Sequence, residues 1–413
     1  MRISRRIFLK NGGLTLIGMG ALPGVMMRAA LAAPLGRRKT LVVVFLRGGA
    51  DGLNMVVPYG EKEYYRARPS IAIPPPGAGG EAALDLDGFF GLHPSLSDLQ
   101  ALFQQKRLGI LLAVGSPSPS RSHFEAQDFM ESAAPDNHRV KDGWLNRFLQ
   151  SEGKKGSAFR GVSLGPVLPR SLEGRARAIA LDGLNHFHLQ GGPARGLARA
   201  GYQSLYHQET NTLLSGTAQE LFDAIDFLDK AHPDRYRPSP NAHYPGGPLG
   251  EKLRQLSQLI KAGVGVEVAF VDAGGWDHHF NQGGVKGQQS RLLRELGQGL
   301  SAFNRDLGAR MEDVLLLTMS EFGRTVAENG SGGTDHGHAN MVLALGGEVK
   351  GGELYGQWPG LGRQELYEGR DLALTSDFRD VFAEVLIRRM GAQDLSNVLP
   401  GFSVDPARFK GFI

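Results

Sequence analysis

Residues 40–52, TLVVVFLRGGADG, contain the pattern that decides the fold. Their apolar run is continuous rather than alternating, which is typical of a strand that is buried on both faces of a sheet. A glycine turn follows, and Asp51 then places a carboxylate at the carboxyl end of that strand. Similar apolar runs occupy residues 108–115, 266–271, 313–319 and 340–347, with helical patterns between several of them. The sequence therefore predicts an α/β protein with a doubly wound, mostly parallel sheet and helices on both faces.

The first 32 residues have the features of an export signal. Residues 4–10, SRRIFLK, fit the twin-arginine pattern, and a glycine-interrupted apolar run leads to Ala30-Leu31-Ala32, which matches a small-residue cleavage site. So short and interrupted a run is not expected to be a permanent membrane span. We expect export by the twin-arginine translocase, to the periplasm or the extracellular space, and a single domain at residues 33–413. The length alone would also allow two smaller domains.

Removal of this segment changes the charge of the protein. The chain has 46 Lys and Arg residues against 42 Asp and Glu residues, but five of the basic residues and none of the acidic ones lie in residues 1–32. The remainder thus has 41 basic and 42 acidic residues and a net charge of −1, which argues against nucleic acid as a partner. The chain has no cysteine, so a bound metal must have oxygen and nitrogen ligands.

Acidic residues and histidines recur in glycine-containing loops that follow the predicted strands. Each has an ordinary alternative, such as an Asp-Gly turn or a solvated loop, but their recurrence favours one shared site at the carboxyl ends of the strands. Carboxylate with imidazole suits Zn, Mn or Fe better than Ca or Mg. Because adjacent histidines point in different directions, only one of His278 and His279 is expected to be a ligand. His336 and His338 could meet one ion or bracket two. The candidates are Asp51, Asp277, His278 or His279, Glu321, Asp335, His336 and His338.

A further polar group, Ser120-Arg121-Ser122-His123, lies at a predicted junction between a loop and a helix. Ser122 could be a nucleophile, because the helix N-terminus and Arg121 favour an anionic substrate. The alternative is that Ser122 only caps the helix, with Glu125 three residues later completing a capping box. The spacing favours the cap, although one serine can serve both roles.

As a set, these motifs resemble a bacterial exported family, domain of unknown function 1501. The resemblance extends over nearly the whole mature chain. It is carried by the twin-arginine start, LRGGADGLN, SRSHFEAQDFMES, GGWDHHFNQGG, TMSEFGRTVAENGSGGTDHGHAN and YEGRDLALTSDFRD. The family is similar to the alkaline phosphatase and sulfatase superfamily, which implies that superfamily's α/β fold, one or two divalent metals and a hydroxyl nucleophile at a helix N-terminus.

The resemblance also implies a role for each candidate. Asp51 would be the metal aspartate of the first strand, and Ser122, or else Ser120, would be the nucleophile. Arg121 and Arg324 would clamp an anion. The other metal ligands would be Asp277, His279, Glu321, Asp335, His336 and His338.

This chain departs from the superfamily at two places. Pro117 occupies the position at which formylglycine sulfatases need Cys or Ser, which argues against that class. Glu321-Phe322 replaces the usual Asp-His pair, so one imidazole is missing. Two hypotheses follow. The first is an exported metal-dependent hydrolase of small phosphate or sulfate esters with a serine nucleophile. The second is a non-catalytic exported binding or envelope-assembly protein that keeps the fold and a structural metal.

Overall fold

The sheet predicted from the apolar runs is present and has nine strands among the residues that the structure describes. The computed structural model describes residues 39–79, 81–153, 158–184 and 236–413, together with the backbone of residues 6–8 and 15–17. Within residues 39–413 the strands are β1 (Thr40–Leu46), β2 (Val56–Val57), β3 (Leu84–Asp85), β4 (Gly91–Leu92), β5 (Leu108–Gly115), β6 (Gly161–Leu164), β7 (Ala178–Leu181), β8 (Val268–Ala273), β9 (Val314–Met319), β10 (Asn340–Gly346), β11 (Leu354–Tyr355) and β12 (Ser376–Asp377).

The order of the large sheet is β11-β5-β10-β9-β1-β8-β6-β7, and β12 also pairs with β5. Its strands run in one direction except β10, which is antiparallel to both β9 and β5. Strands β2, β4 and β3 form a small antiparallel sheet. The predicted α/β fold with a mostly parallel sheet is therefore confirmed.

Helices cover both faces of the large sheet. Residues of β1 alternate between two apolar clusters, with Val42 and Val44 in one and Val43 and Phe45 in the other. Helices α3, α6 and α7 contribute to the first cluster, and α4, α5 and α8 contribute to the second. This two-sided burial explains why the strand runs are continuously apolar. The helices are α1 (Gly52–Met55), α2 (Lys62–Ala67), α3 (Ser97–Gln104), α4 (His123–Ser132), α5 (Trp144–Ser151), α6 (Pro248–Ala262), α7 (Gln288–Leu307) and α8 (Phe378–Glu384).

The antiparallel strand β10 decides which loops meet. The carboxyl ends of β1, β5, β8 and β9 lie at one edge of the sheet. Because β10 runs the other way, its amino end reaches that same edge, where Asn340 pairs with Val114 near the end of β5. The loop that precedes β10 therefore joins the loops that follow the parallel strands.

The chain divides into two compact units, Met1–Arg38 and Lys39–Ile413. In the first unit, strands Arg6–Phe8 and Thr15–Ile17 pair antiparallel. Most of the predicted export signal and its cleavage site lie outside the described residues. Among the residues that the structure describes, none of the helices is both long and apolar enough to cross a bilayer.

Candidate metal centre

Three imidazoles and one carboxylate converge at the shared edge of the sheet. Asp277 Oδ1 lies 3.1 Å from His279 Nε2 and 3.3 Å from His336 Nε2. Asp277 Oδ2 lies 3.3 Å from His123 Nε2, and the Nε2 atoms of His279 and His336 are 2.9 Å apart. One ligand atom each from His123, Asp277 and His336 lie within 4.8 Å of one another, so these residues form a group that could hold a metal ion. We call His123, Asp277, His279 and His336 the Asp277 cluster.

The other ring nitrogen of each imidazole in this cluster is anchored on an acceptor. A backbone carbonyl has no proton to give, and the pKa values of both anchoring carboxyl groups are lowered, so each Nδ1 carries the hydrogen and donates it. The pairs are His123 Nδ1 to Glu321 Oε1 at 2.7 Å, His279 Nδ1 to Asp335 Oδ1 at 2.9 Å, and His336 Nδ1 to the carbonyl oxygen of Arg121 at 2.8 Å.

This anchoring leaves lone pairs facing lone pairs. In its neutral form each imidazole has one N–H, at Nδ1, so its Nε2 atom is an acceptor, and the carboxylate of Asp277 is an acceptor as well. The Nε2 atom of His123 is buried and has no hydrogen-bond partner among the described residues. Acceptors at these distances repel one another unless a metal ion or a proton lies between them. Histidines that ligate a metal typically show this pattern, with the second ring nitrogen held by a carboxylate or a carbonyl.

The surrounding groups shift the pKa values of the cluster residues. Burial alone would raise the pKa of Asp277, but the hydrogen bond and charge of Arg324 and the nearby imidazoles lower it to about 2. Burial lowers the pKa of His336, whereas the hydrogen bond to Glu321 raises the pKa of His123. Near neutral pH the cluster thus offers an ionised carboxylate and a neutral imidazole, and a metal at His123 would compete with a proton.

Arg324 joins the loops that carry the cluster. Its guanidinium is fully buried and donates to Asp277 Oδ1 at 2.6 Å. It also donates to four carbonyl oxygens, those of Gly48, Gly49, Trp276 and Thr334. Gly48 is required here, because its φ is +119° and a Cβ would lie 2.5 Å from the backbone nitrogen of Asp277. Arg324, predicted to clamp an anion, is placed as a bridge between these loops.

Glu321 lies behind His123. Its Oε1 atom accepts from the backbone N–H of Gly48 at 2.9 Å, from Gln127 Nε2 at 2.9 Å and from His123. Burial alone would raise the pKa of Glu321, but these hydrogen bonds lower it. Glu321 and Asp335, both predicted as ligands, therefore orient the imidazoles of His123 and His279 in this structure.

The predicted nucleophile, Ser122, is the exposed residue that precedes α4. Its side chain makes no capping hydrogen bond. Glu125, which would complete the capping box, instead accepts from Ser120 Oγ at 2.7 Å. Arg121 donates to the buried carboxylate of Asp371 at 2.6 Å. The helix therefore begins without the predicted capping box, and the hydroxyl of Ser122 lies one residue from His123.

The structure does not bring the other predicted ligands to the Asp277 cluster. Asp51 is buried and paired with Arg68 at 2.6 Å. His338 stacks on Tyr367, with ring centroids 4.1 Å apart. His278, the alternative to His279, is buried, and burial lowers its pKa to about 4.

His123 was not among the residues predicted to bind metal. In the sequence it is the first residue of a helix after a serine, and nothing local marks it as a ligand. Its position could have indicated this role, because His123 follows the carboxyl end of the buried strand β5, at the edge where the other loops meet.

Comparisons with known proteins place the chain in a family. The family model described as "Protein of unknown function (DUF1501)" matches residues 38–402, which confirms the family predicted from the motifs. No curated protein matches the chain.

The chain is similar to several solved structures. One is the C-terminal periplasmic domain of EcEptC from Escherichia coli in complex with Zn, with 11% identity, coverage of 75% of this chain and 73% of that chain, and a TM-score of 0.36. Another is the PsFucS1 sulfatase from Pseudoalteromonas sp., with 13% identity, 90% and 71% coverage and a TM-score of 0.39. A third is the alkaline phosphatase from the Antarctic bacterium TAB5, with 12% identity, 86% and 100% coverage and a TM-score of 0.37.

Proposed function

The chain belongs to DUF1501, a family of proteins of unknown function, and we propose that it is an exported metal-dependent hydrolase of phosphate or sulfate esters. One observation carries this proposal: three imidazoles, each anchored through Nδ1, direct their Nε2 atoms at the carboxylate of Asp277. His123, Asp277 and His336 would hold the ion, and His279, whose Nε2 atom lies 3.1 Å from Asp277 Oδ1, would be a further candidate ligand. When bound, a divalent cation would stabilise negative charge that develops on the ester.

The donor set narrows the choice of metal. Imidazole nitrogens with one carboxylate oxygen are typical of Zn²⁺ sites, and they also suit Mn and Fe. The chain has no cysteine to offer a thiolate. Glu321 and Asp335 would serve by holding the tautomers of His123 and His279, because the hydrogen that each accepts from Nδ1 leaves Nε2 free to bind metal.

Ser122 is the proposed nucleophile. Its hydroxyl is exposed, does not cap the helix, and precedes His123 directly. The hydroxyl oxygen would attack phosphorus or sulfur, and the alcohol of the ester would leave with a proton. Water would then hydrolyse the seryl ester and restore Ser122. The first N–H groups of α4 would bind the oxygens of the anion, since a helix N-terminus favours negative charge.

The matched pair Ser122→Ala and Ser120→Ala tests this role. We expect Ser122→Ala to lower turnover of p-nitrophenyl phosphate or sulfate by roughly 1,000-fold or more. Ser120→Ala should keep most of the activity, because the Ser120 hydroxyl is bonded to Glu125. Metal content should be the same in both variants and the parent. Equal activity of Ser122→Ala and the parent would remove Ser122 from the mechanism.

A second candidate function is an exported binding or envelope-assembly protein with a structural metal. It is favoured by the two arginines that were predicted to clamp an anion. Arg121 is paired with Asp371 and Glu368, and Arg324 is bonded to Asp277 and to backbone carbonyls. In this case metal would raise the melting temperature, and no phosphate or sulfate ester would be hydrolysed.

Export by the twin-arginine translocase is part of the same proposal. Its support is the SRRIFLK segment at residues 4–10. Replacement of both arginines, Arg5→Lys and Arg6→Lys, keeps the charge and removes the motif. We expect this variant to stay in the cytoplasm at its full length, as cell fractionation would show. Processing and export at the parent's level would argue for another route.

A further inference from the structure

We propose that the centre takes one divalent cation rather than two, because the guanidinium of Arg68 takes the place of a second metal at Asp51. This inference rests on the proposed function, since it concerns the number of ions at the same edge of the sheet. Asp51 is the residue that the family resemblance assigns to a metal. Its surroundings in this chain are those of an ion-pair partner.

Arg68 is fully buried and uses all five of its N–H groups. Nη1 donates to Asp51 Oδ2 at 2.6 Å and to Asn54 Oδ1 at 2.7 Å. Nη2 donates to Asp51 Oδ1 at 3.0 Å and to the carbonyl oxygen of Thr325 at 2.9 Å. Nε donates to the carbonyl oxygen of Val326 at 2.8 Å. A guanidinium bonded in this way is a fixed positive charge, because arginine does not lose its proton in proteins.

The carboxylate of Asp51 is surrounded by donors. Besides the two bonds from Arg68, Oδ2 accepts from Gln282 Nε2 at 2.6 Å. The amide of Gln282 is held in that orientation, because its Oε1 atom accepts from Thr334 Oγ1 at 2.7 Å. Donor groups cannot ligate a cation, and a metal at this carboxylate would lie beside the charge of Arg68. The residues around Asp51 therefore do not fit a metal.

Glu321 is another carboxylate that the resemblance assigns to a metal, and donors surround it as they surround Asp51. Glu321 Oε1 accepts from the backbone N–H of Gly48, from Gln127 and from His123. Asp277 also accepts from Arg324, but it differs because three of its other neighbours are Nε2 atoms whose rings donate through Nδ1 elsewhere. Arginine is the usual partner of a buried carboxylate, and its planar fork fits both oxygens at once. The charge that a second metal would supply is thus already provided by a side chain.

The test is a matched pair of substitutions, Asp51→Asn and Asp277→Asn, in the mature chain. Each variant and the parent are stripped with chelator, titrated with Zn²⁺ by calorimetry, and assayed for bound zinc by elemental mass spectrometry. We expect one zinc per chain in the parent, one in Asp51→Asn, and none in Asp277→Asn. Asp51→Asn should also melt at a lower temperature than the parent, because it leaves the buried charge of Arg68 without its carboxylate.

The outcomes separate this inference from the proposed function. Two zinc ions in the parent, or loss of one ion specifically in Asp51→Asn, would overturn the role of Arg68 and leave a metallohydrolase standing. No zinc in the folded parent would overturn the proposed function itself. If Asp51→Asn does not fold, the parent's stoichiometry decides alone, with one ion supporting the inference and two contradicting it.

Discussion

Two polar clusters in this protein contain an aspartate of nearly the same acidity but opposite surroundings. The pKa is lowered to about 2 both at Asp277 in the candidate centre and at Asp306 in helix α7. Asp306 accepts from Lys261, Ser257, Tyr236 and Tyr244, and from the backbone N–H of Ser239. We call this set the Asp306 network.

The difference lies in the balance of donors and acceptors. Each of the neighbours just named gives Asp306 a hydrogen, so the network is complete without any ion. Around Asp277, among the residues that the structure describes, Arg324 is the one committed donor, and the three imidazoles present lone pairs when they are neutral. A low pKa alone therefore does not distinguish a structural carboxylate from a metal ligand. The direction of the surrounding hydrogen bonds does.

The largest expected effect is on folding, at Asp306. Asp306→Asn turns one acceptor into an amide N–H₂ group that faces donors, and it leaves Lys261 without its carboxylate. We expect the free energy of unfolding to fall by roughly 3 kcal/mol, because loss of one partner of a buried pair leaves the other uncompensated. Urea denaturation of metal-free protein measures this change. Zinc stoichiometry should not change, and a lost ion would mean that the two clusters are not independent.

The pH dependence of stability sharpens the same prediction. Burial alone would raise the pKa of Asp306, but hydrogen bonds from Lys261, Tyr236 and Ser257 lower it from 3.8 to about 2. A lowered pKa gives a contribution to stability that is present above pH 4 and lost as the pH falls towards 2. The parent should lose more stability over this window than Asp306→Asn does. Parallel curves for the two proteins would contradict the role given to Asp306.

The next effect is on metal binding, at His336. We expect His336→Gln to lower zinc affinity by more than roughly 100-fold. Mutation of a residue that only orients a ligand typically lowers metal affinity by about 10- to 100-fold, and loss of a ligand should cost more. The metal-free protein should change in stability by only about 1 kcal/mol, because the side chain gives up one hydrogen bond, to the carbonyl oxygen of Arg121. His243→Gln, at an exposed histidine outside the cluster, is the control. Calorimetry with zinc checks both variants, and equal affinities would remove His336 from the centre.

The smallest effect is expected behind the ligands, at Asp335. Asp335→Asn weakens the anchor of His279 Nδ1 but removes no ligand atom. Zinc affinity should fall by about 10- to 100-fold, with the stoichiometry still at one ion. A complete loss of binding would instead make Asp335 a ligand, as the resemblance implied. Weaker binding of one ion would therefore indicate a residue that orients His279, and loss of the ion would indicate a ligand.

The fold could be predicted because its signal is local. A strand buried on both faces must be apolar at every position, and residues 108–115 fulfil this along the whole of β5. Where a helix begins depends on tertiary pairing, because Ser376–Asp377 form strand β12 before α8 begins at Phe378. Element types thus followed from composition, while the boundaries depended on pairing with distant strands.

The site could be predicted only in part, because roles depend on contacts between distant residues. The recurrence of Asp and His in loops pointed to Asp277, His279 and His336. Whether a carboxylate binds metal or orients a histidine depends on what it meets across the fold, and Glu321 meets His123, which lies 198 positions away in the sequence. Nothing in the local sequence shows that Arg68 is buried against Asp51. The ligand assignments therefore stay predictions.

The central claim is that the Asp277 cluster binds a divalent cation, and a crystal structure of zinc-soaked protein tests it most directly. Anomalous scattering at the zinc edge should show one peak about 2.0–2.2 Å from the Nε2 atoms of His123 and His336 and from an Asp277 oxygen. A folded, zinc-saturated crystal with no peak among these atoms would contradict the account.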